Sequence, residues 1–144
     1  MRSIASLTRE ELQGKRVIVR ASLDVPIENG VVTNEFRVRK ALPTIEFLRN
    51  NGARVIVLTH VGRDPQNATE PVFHALEKYL SMRHIEGVKG DGVAHMVTTL
   101  KDGDVLLLGN LRAHKEEEDN GAPFARTLAS YADIYVNDAF AVSH

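Results

Sequence analysis

The chain has 144 residues and not one cysteine. That excludes disulfides, thiolate nucleophiles and cysteine-ligated metals, and it fits a reducing compartment. A dominant charge is lacking as well. The formal net charge is −1, so neither nucleic acid nor a membrane surface is an expected partner. No apolar run approaches the ~20 residues of a membrane-spanning helix. The opening "MRSIASLTREELQGKRVIVR" reaches charged residues too soon for the apolar segment of a signal peptide, so the expected location is cytoplasmic. Repeats and low-complexity linkers are also missing.

Several chemical signatures are absent too. There is no GxxxxGK[ST] phosphate loop, and "GDGVAH" lacks the third glycine of a dinucleotide fingerprint. The six histidines show no metal-binding spacing, and no G-x-S-x-G nucleophile elbow occurs. No paired nucleophile and base stands out, so covalent catalysis has no support. What is present is ordinary for a soluble globular domain: 43% hydrophobic and 26% charged residues. A domain of this length buries roughly 68% of its unfolded surface, enough for a substantial core.

The pattern along the chain alternates. "TREE" (Thr8–Glu11) is a capping box before a short helix or turn. "RVIVRASLDV" reads as a strand rich in β-branched residues. Asn29-Gly30 between apolar pairs predicts a two-residue hairpin. "TNEFRVRKALPTIEFLRNNG" predicts a helix capped by Asn34 and stopped by Gly52, with a kink or fresh start at Pro43. "ARVIVLTH" and "DVLLLGN" are apolar strands, and "HIEGVKG" is a possible short one. "EPVFHALEKYLSMR", "GVAHMVTTLK" and "APFARTLASYA" predict helices, and "DIYVNDAF" a last strand. Wholly apolar strands alternating with helices mean a parallel sheet covered on both faces. The expected fold class is α/β: a doubly wound, mainly parallel, Rossmann-like three-layer sheet with a small hairpin after the first strand.

In such sheets ligands bind beyond the carboxyl ends of the strands. Those ends carry Ser22 and Asp24, His60 and Arg63, Asn110 and Arg112, and Asn137 and Asp138. Arg37 opens the helix after the hairpin. Arginine presents a planar fork of donors that matches phosphate and carboxylate. Each charge-assisted bond contributes about 1.5–3 kcal/mol, so the gathered residues point to a small polyanion. Taken singly, each has an ordinary alternative. Arg63 can be a solvated loop residue, His60 a satisfied core histidine and Arg37 a solvated helix residue like Arg39. Arg112 can pair with the acidic run "EEED" that follows it.

The segments "KRVIVRASLDVP", "TNEFRVRKALPTIEFL", "VIVLTHVGRDP", "VLLLGNLRAHKEEE" and "DIYVNDAFAVSH" run in the order found in phosphoglycerate kinase. The chain resembles the N-terminal domain of that family across nearly all its length, residues 1–144. The resemblance implies a phosphotransferase of glycolysis with two domains. The N-terminal one holds 3-phosphoglycerate and the C-terminal one MgATP or MgADP. It implies a substrate-binding set of Ser22, Leu23, Asp24, Arg37, His60, Val61, Gly62, Arg63 and Arg112. Arg37 is the catalytic member, stabilising the phosphoryl group in transfer. No cofactor and no metal are expected within this chain. The family is usually monomeric.

Departures from the family pattern accompany the match. The family's R-V-D-F-N-V-P falls on Arg20–Pro26, which puts Ser22 where an aspartate stands and Asp24 where an asparagine stands. A carboxylate there cannot donate the amide hydrogen bond of an asparagine. The family's E-N-L-R falls on Gly109–Arg112. The pattern also continues beyond Ala141-Val142-Ser143-His144 into a further arginine, an interdomain helix and a nucleotide domain. The expectation is a partial chain that binds substrate weakly and does not turn over. The rival expectations are a non-catalytic anion-binding module and an α/β domain that assembles with a partner.

Overall fold

The computed structural model describes residues 4–59, 61, 68–110 and 122–138. A turn of 3-10 helix (Ile4–Ser6) leads into α1 (Arg9–Leu12), where Thr8 and Glu11 form the expected reciprocal capping box. There follow β1 (Arg16–Ala21), β2 (Ile27–Glu28), β3 (Val31–Val32), α2 (Phe36–Asn50), β4 (Arg54–Thr59), α3 (Glu70–Glu77) and β5 (Arg83–His84). Then come α4 (Asp91–Thr98), β6 (Val105–Asn110), α5 (Ala122–Ala129) and β7 (Ile134–Asp138).

β5, β6, β4, β1 and β7 form one sheet in that order, and every neighbouring pair is parallel. From β1 the chain lays β4 beside it, then the edge strand β5, inserts β6 between β5 and β4, and crosses back to lay β7 on the other side of β1. Side chains of a strand alternate between faces, which sorts the core into two layers. Val17, Val19, Val55, Val57 and Leu107 pack against α1, α2 and α3. Ile18, Ile56, Leu58, Leu106 and Leu108 pack against α4 and the α5 end of the chain, through Val93, Val97, Leu128 and Tyr131. Tyr131 lies buried and donates to the carbonyl of Val88 at 2.9 Å. This is the doubly wound three-layer architecture expected from the apolar runs.

The hairpin is as expected. Ile27 pairs with Val32 and Glu28 with Val31, and Asn29 and Gly30 take φ of 53° and 76°. Both turn positions are left-handed, as a tight primed turn requires.

The expectations for α2 are corrected at two points. Asn34 is not the cap. Glu35 holds that position, while the Asn34 side chain accepts the Phe36 N–H at 2.9 Å from one residue further out. Pro43 neither breaks nor restarts the helix, which runs unbroken for 15 residues. Proline's fixed φ suits a helix, and its ring lies on the exposed side. Other corrections are of length and position: the short strand expected over "HIEGVKG" is Arg83–His84, and the helix expected over "APFARTLASYA" ends at Ala129. β1 ends at Ala21, before "SLDV", and α3 ends at Glu77, short of "KYLSMR".

Candidate functional site

The register brings the carboxyl ends of four strands level. Arg20 lies beside Leu58 and Asn137, Ala21 beside Asp138, and Thr59 beside Asn110. Ser22 and Asp24 leave β1 at this edge half-buried, while Leu23 and Val25 between and after them stay in the core. The alternation of β1 thus continues past its last ladder bond. The Leu23 N–H donates to the Thr59 hydroxyl at 3.2 Å, which ties the end of β1 to the end of β4. Val61 is buried just beyond. Arg37, in the first turn of α2, is exposed and donates from Nη1 to the Asp24 carbonyl at 2.9 Å. His60, Gly62, Arg63 and Arg112 lie outside the described residues. Asn137 is exposed.

Two polar clusters support this edge. In the first, the Glu35 carboxylate receives Lys78 Nζ and, at 2.6 Å, the Tyr79 hydroxyl, with Arg39 3.9 Å away. Hydrogen bonds from Lys78 and Tyr79 hold Glu35 below the usual carboxylate range, and Glu35 in turn raises the Lys78 ammonium. The start of α2, with Arg37 on it, is thereby pinned to the turn after α3.

The second cluster centres on Thr69, which is fully buried. Its hydroxyl donates to the Leu108 carbonyl at 2.9 Å and lies 2.9 Å from His84 Nε2. The Glu86 carboxylate accepts the N–H groups of Thr69 and Glu70 at 3.1 Å each. Those are unpaired donors at a helix start, where a carboxylate is also favoured by the helix dipole. His84 stacks on Phe73 with ring centres 5.0 Å apart. Burial lowers its pKa, and the Glu86 carboxylate opposes that shift.

β6 carries an irregularity beside the site. Val57 pairs with Leu107 but Thr59 with Asn110, so β6 holds one more residue than β4 over this stretch. Such a bulge re-aims the residue that follows it. At the bulge the Gly109 N–H donates to the Gly87 carbonyl at 2.8 Å, and a Cβ on Gly109 would lie 2.1 Å from the Gly87 nitrogen. A side chain at position 109, where the family motif has glutamate, has no room here.

A recess of about 310 Å³ lies elsewhere, lined at the start of β7 by Asp133 and by apolar residues that include Ile18, Leu128, Ala132 and Ile134. It is largely apolar and lies away from the carboxyl ends of the strands. Among the described residues no cluster of histidine and carboxylate ligands could hold a metal ion, and no helix is long and apolar enough to cross a membrane.

A sequence model of phosphoglycerate kinase matches residues 7–144. The chain belongs to the phosphoglycerate kinase family. It is 43% identical to the phosphoglycerate kinase of Dictyoglomus turgidum over 99% of its own length and 38% of that enzyme. It is 48% identical to that of Moorella thermoacetica over 93% of its length and 36% of the relative. The chain therefore spans a little over a third of the curated relatives it matches. Among solved structures, the Coxiella burnetii phosphoglycerate kinase superposes with a TM-score of 0.81 at 33% identity, covering 97% of this chain and 35% of that one. The Pyrococcus horikoshii enzyme gives 0.83 at 31% identity, covering 90% and 35%. Family membership is thus as the quoted motifs implied, and the family activity is that of a phosphotransferase.

Of the substrate-binding set carried over from the family motifs, Ser22, Leu23, Asp24, Arg37 and Val61 fall at one edge of the sheet. The motifs did not single out Thr59, Thr69, Glu35 or Glu86. The available signal was polarity in the wrong place: Thr59 and Thr69 are the buried polar residues among those described.

Proposed function

We propose that this chain is the 3-phosphoglycerate-binding domain of a phosphoglycerate kinase, one domain over residues 1–144, working in the cytoplasm. In this reading Ser22, Leu23, Asp24, Arg37, His60, Val61, Gly62, Arg63 and Arg112 bind the substrate. MgATP or MgADP is held by the remainder of the complete enzyme. Arg37 stabilises the phosphoryl group as it passes between 1,3-bisphosphoglycerate and the nucleotide. Phosphoryl transfer depends on positioning and on neutralising charge, and an arginine fork does both. The observation that carries the reading is the placement of Arg37. It is tied to the Asp24 backbone above the carboxyl ends of the strands, where an open α/β sheet takes its ligand.

A chemical-shift titration tests it. Addition of 3-phosphoglycerate should shift the Ser22–Asp24 and Arg37 resonances, and sulfate at the same concentration should move them much less. An equal response to any dianion would favour the non-catalytic anion-binding module.

A further inference from the structure

We infer that Thr59 is a positioning residue of the substrate edge, holding the Ser22–Asp24 segment through its hydroxyl without touching the substrate. The inference rests on the substrate reading above. β4 buries Val55, Ile56, Val57 and Leu58, all apolar, and then Thr59 at 1% exposure. Valine has nearly the same shape, so the hydroxyl is what distinguishes this position. Its partner explains it. The β1–β4 ladder ends at Arg20 beside Leu58, and three residues on, the Leu23 N–H lies buried with no strand partner in that ladder. The Thr59 oxygen accepts that N–H and so extends the pairing by one side-chain bond. Leu23 is the middle of that segment. Ser22 and Asp24 flank it, and the Asp24 carbonyl is the oxygen that Arg37 holds. One chain of contacts therefore runs from the Thr59 hydroxyl through the Leu23 amide and the Asp24 carbonyl to the Arg37 guanidinium. Removing the hydroxyl leaves a buried donor unpaired, and the segment gains by moving its N–H toward water. That movement displaces Ser22, Asp24 and Arg37 together.

The experiment compares the chain with Thr59→Val, Thr59→Ser and a distant core variant of similar thermal stability, Ile18→Val. Calorimetry reads 3-phosphoglycerate binding, and amide hydrogen exchange reads Leu23. Thr59→Val should weaken binding about tenfold and speed Leu23 exchange. Thr59→Ser should keep affinity within about twofold, since it keeps the acceptor. Ile18→Val should bind like the unaltered chain. Thr59→Ala, which also removes the hydroxyl, supplies the same comparison if valine disturbs the core. If the unaltered chain binds 3-phosphoglycerate and the hydroxyl-free variants bind equally well, the inference is overturned and the substrate reading stands. If the unaltered chain shows no binding at all, the substrate reading falls and takes the inference with it.

Discussion

Arg37 and Asp24 are joined through the backbone: the guanidinium donates to the Asp24 carbonyl at 2.9 Å. The bond does not use the Asp24 side chain. Exchanging asparagine for aspartate at this position therefore leaves the acceptor of this Arg37 bond in place. The side chain proposed to neutralise charge and the residue that departs from the family pattern are therefore joined through backbone alone at this bond.

Replacing Arg37 with alanine in a complete kinase carrying this domain should lower kcat by about 100-fold or more with a much smaller change in KM, because a donor aimed at developing charge acts mainly in the transition state. Steady-state kinetics checks this. A kcat near that of the unaltered enzyme would remove Arg37 from the catalytic role.

Gly109→Ala should be among the most damaging small substitutions in the chain. A Cβ 2.1 Å from backbone nitrogen cannot be relieved by a side-chain rotation, so β6 or the Gly87 segment must move. Overpacking of this kind costs about 1–3 kcal/mol or more. Urea unfolding of the variant beside the unaltered chain measures it, and an unchanged midpoint would show that the approach of the two glycines is not needed.

Pro43→Ala should stabilise the fold. Residue 43 lies in the interior of α2 on its exposed side, and alanine restores the N–H that would bond to the Arg39 carbonyl. An interior proline costs a helix about 3 kcal/mol, offset in part by the ~1 kcal/mol it gains from restricting the unfolded chain. Thermal melts should show a higher midpoint for alanine. A lower one would mean that the ring packs usefully.

Stability should fall on acidification through the histidine range, in part because of His84. Burial sets its folded pKa below the ordinary value, so the unfolded chain takes up the proton first. Stability contributed by neutral His84 is complete above about 6.5 and is lost as pH drops from there through the folded value. His74 runs the other way. Glu77 and Glu70 raise it, so its contribution is present at low pH and lost as pH rises through the raised value. Urea melts at pH 7.5 and 5.5 on the unaltered chain and on His84→Asn isolate the His84 part. An identical pH response in the variant would refute the assignment.

Much of this architecture was legible from residue patterns. β1, β4 and β6 each centre on an apolar run, Val17–Val19, Val55–Leu58 and Val105–Leu108, and parallel strands buried on both faces leave that signature. Asn29-Gly30 and the Thr8–Glu11 box are local devices whose geometry is contained in a few consecutive residues. The supporting contacts are not local. Thr59 meets Leu23 across 36 residues, and Thr69 meets Leu108 across 39, so neither pairing leaves a mark in the spacing of its own segment. Pro43 misled for a related reason. Whether a proline breaks a helix depends on what surrounds its ring and on the packing of the rest of the helix, which here includes the buried Val38, Ala41, Ile45 and Leu48.

The position of β1 has a consequence for synthesis. It is flanked by β4 and β7, and Arg16 at its start meets Asp133 at the head of β7, 117 residues later. At a translation rate of 5–20 residues per second that gap lasts roughly 6–23 s. Through it one margin of an apolar strand waits unpaired beside the ribosome. A chain released before residue 134 keeps that margin open, and edge-to-edge association with a second unfinished chain is then its readiest way to close it.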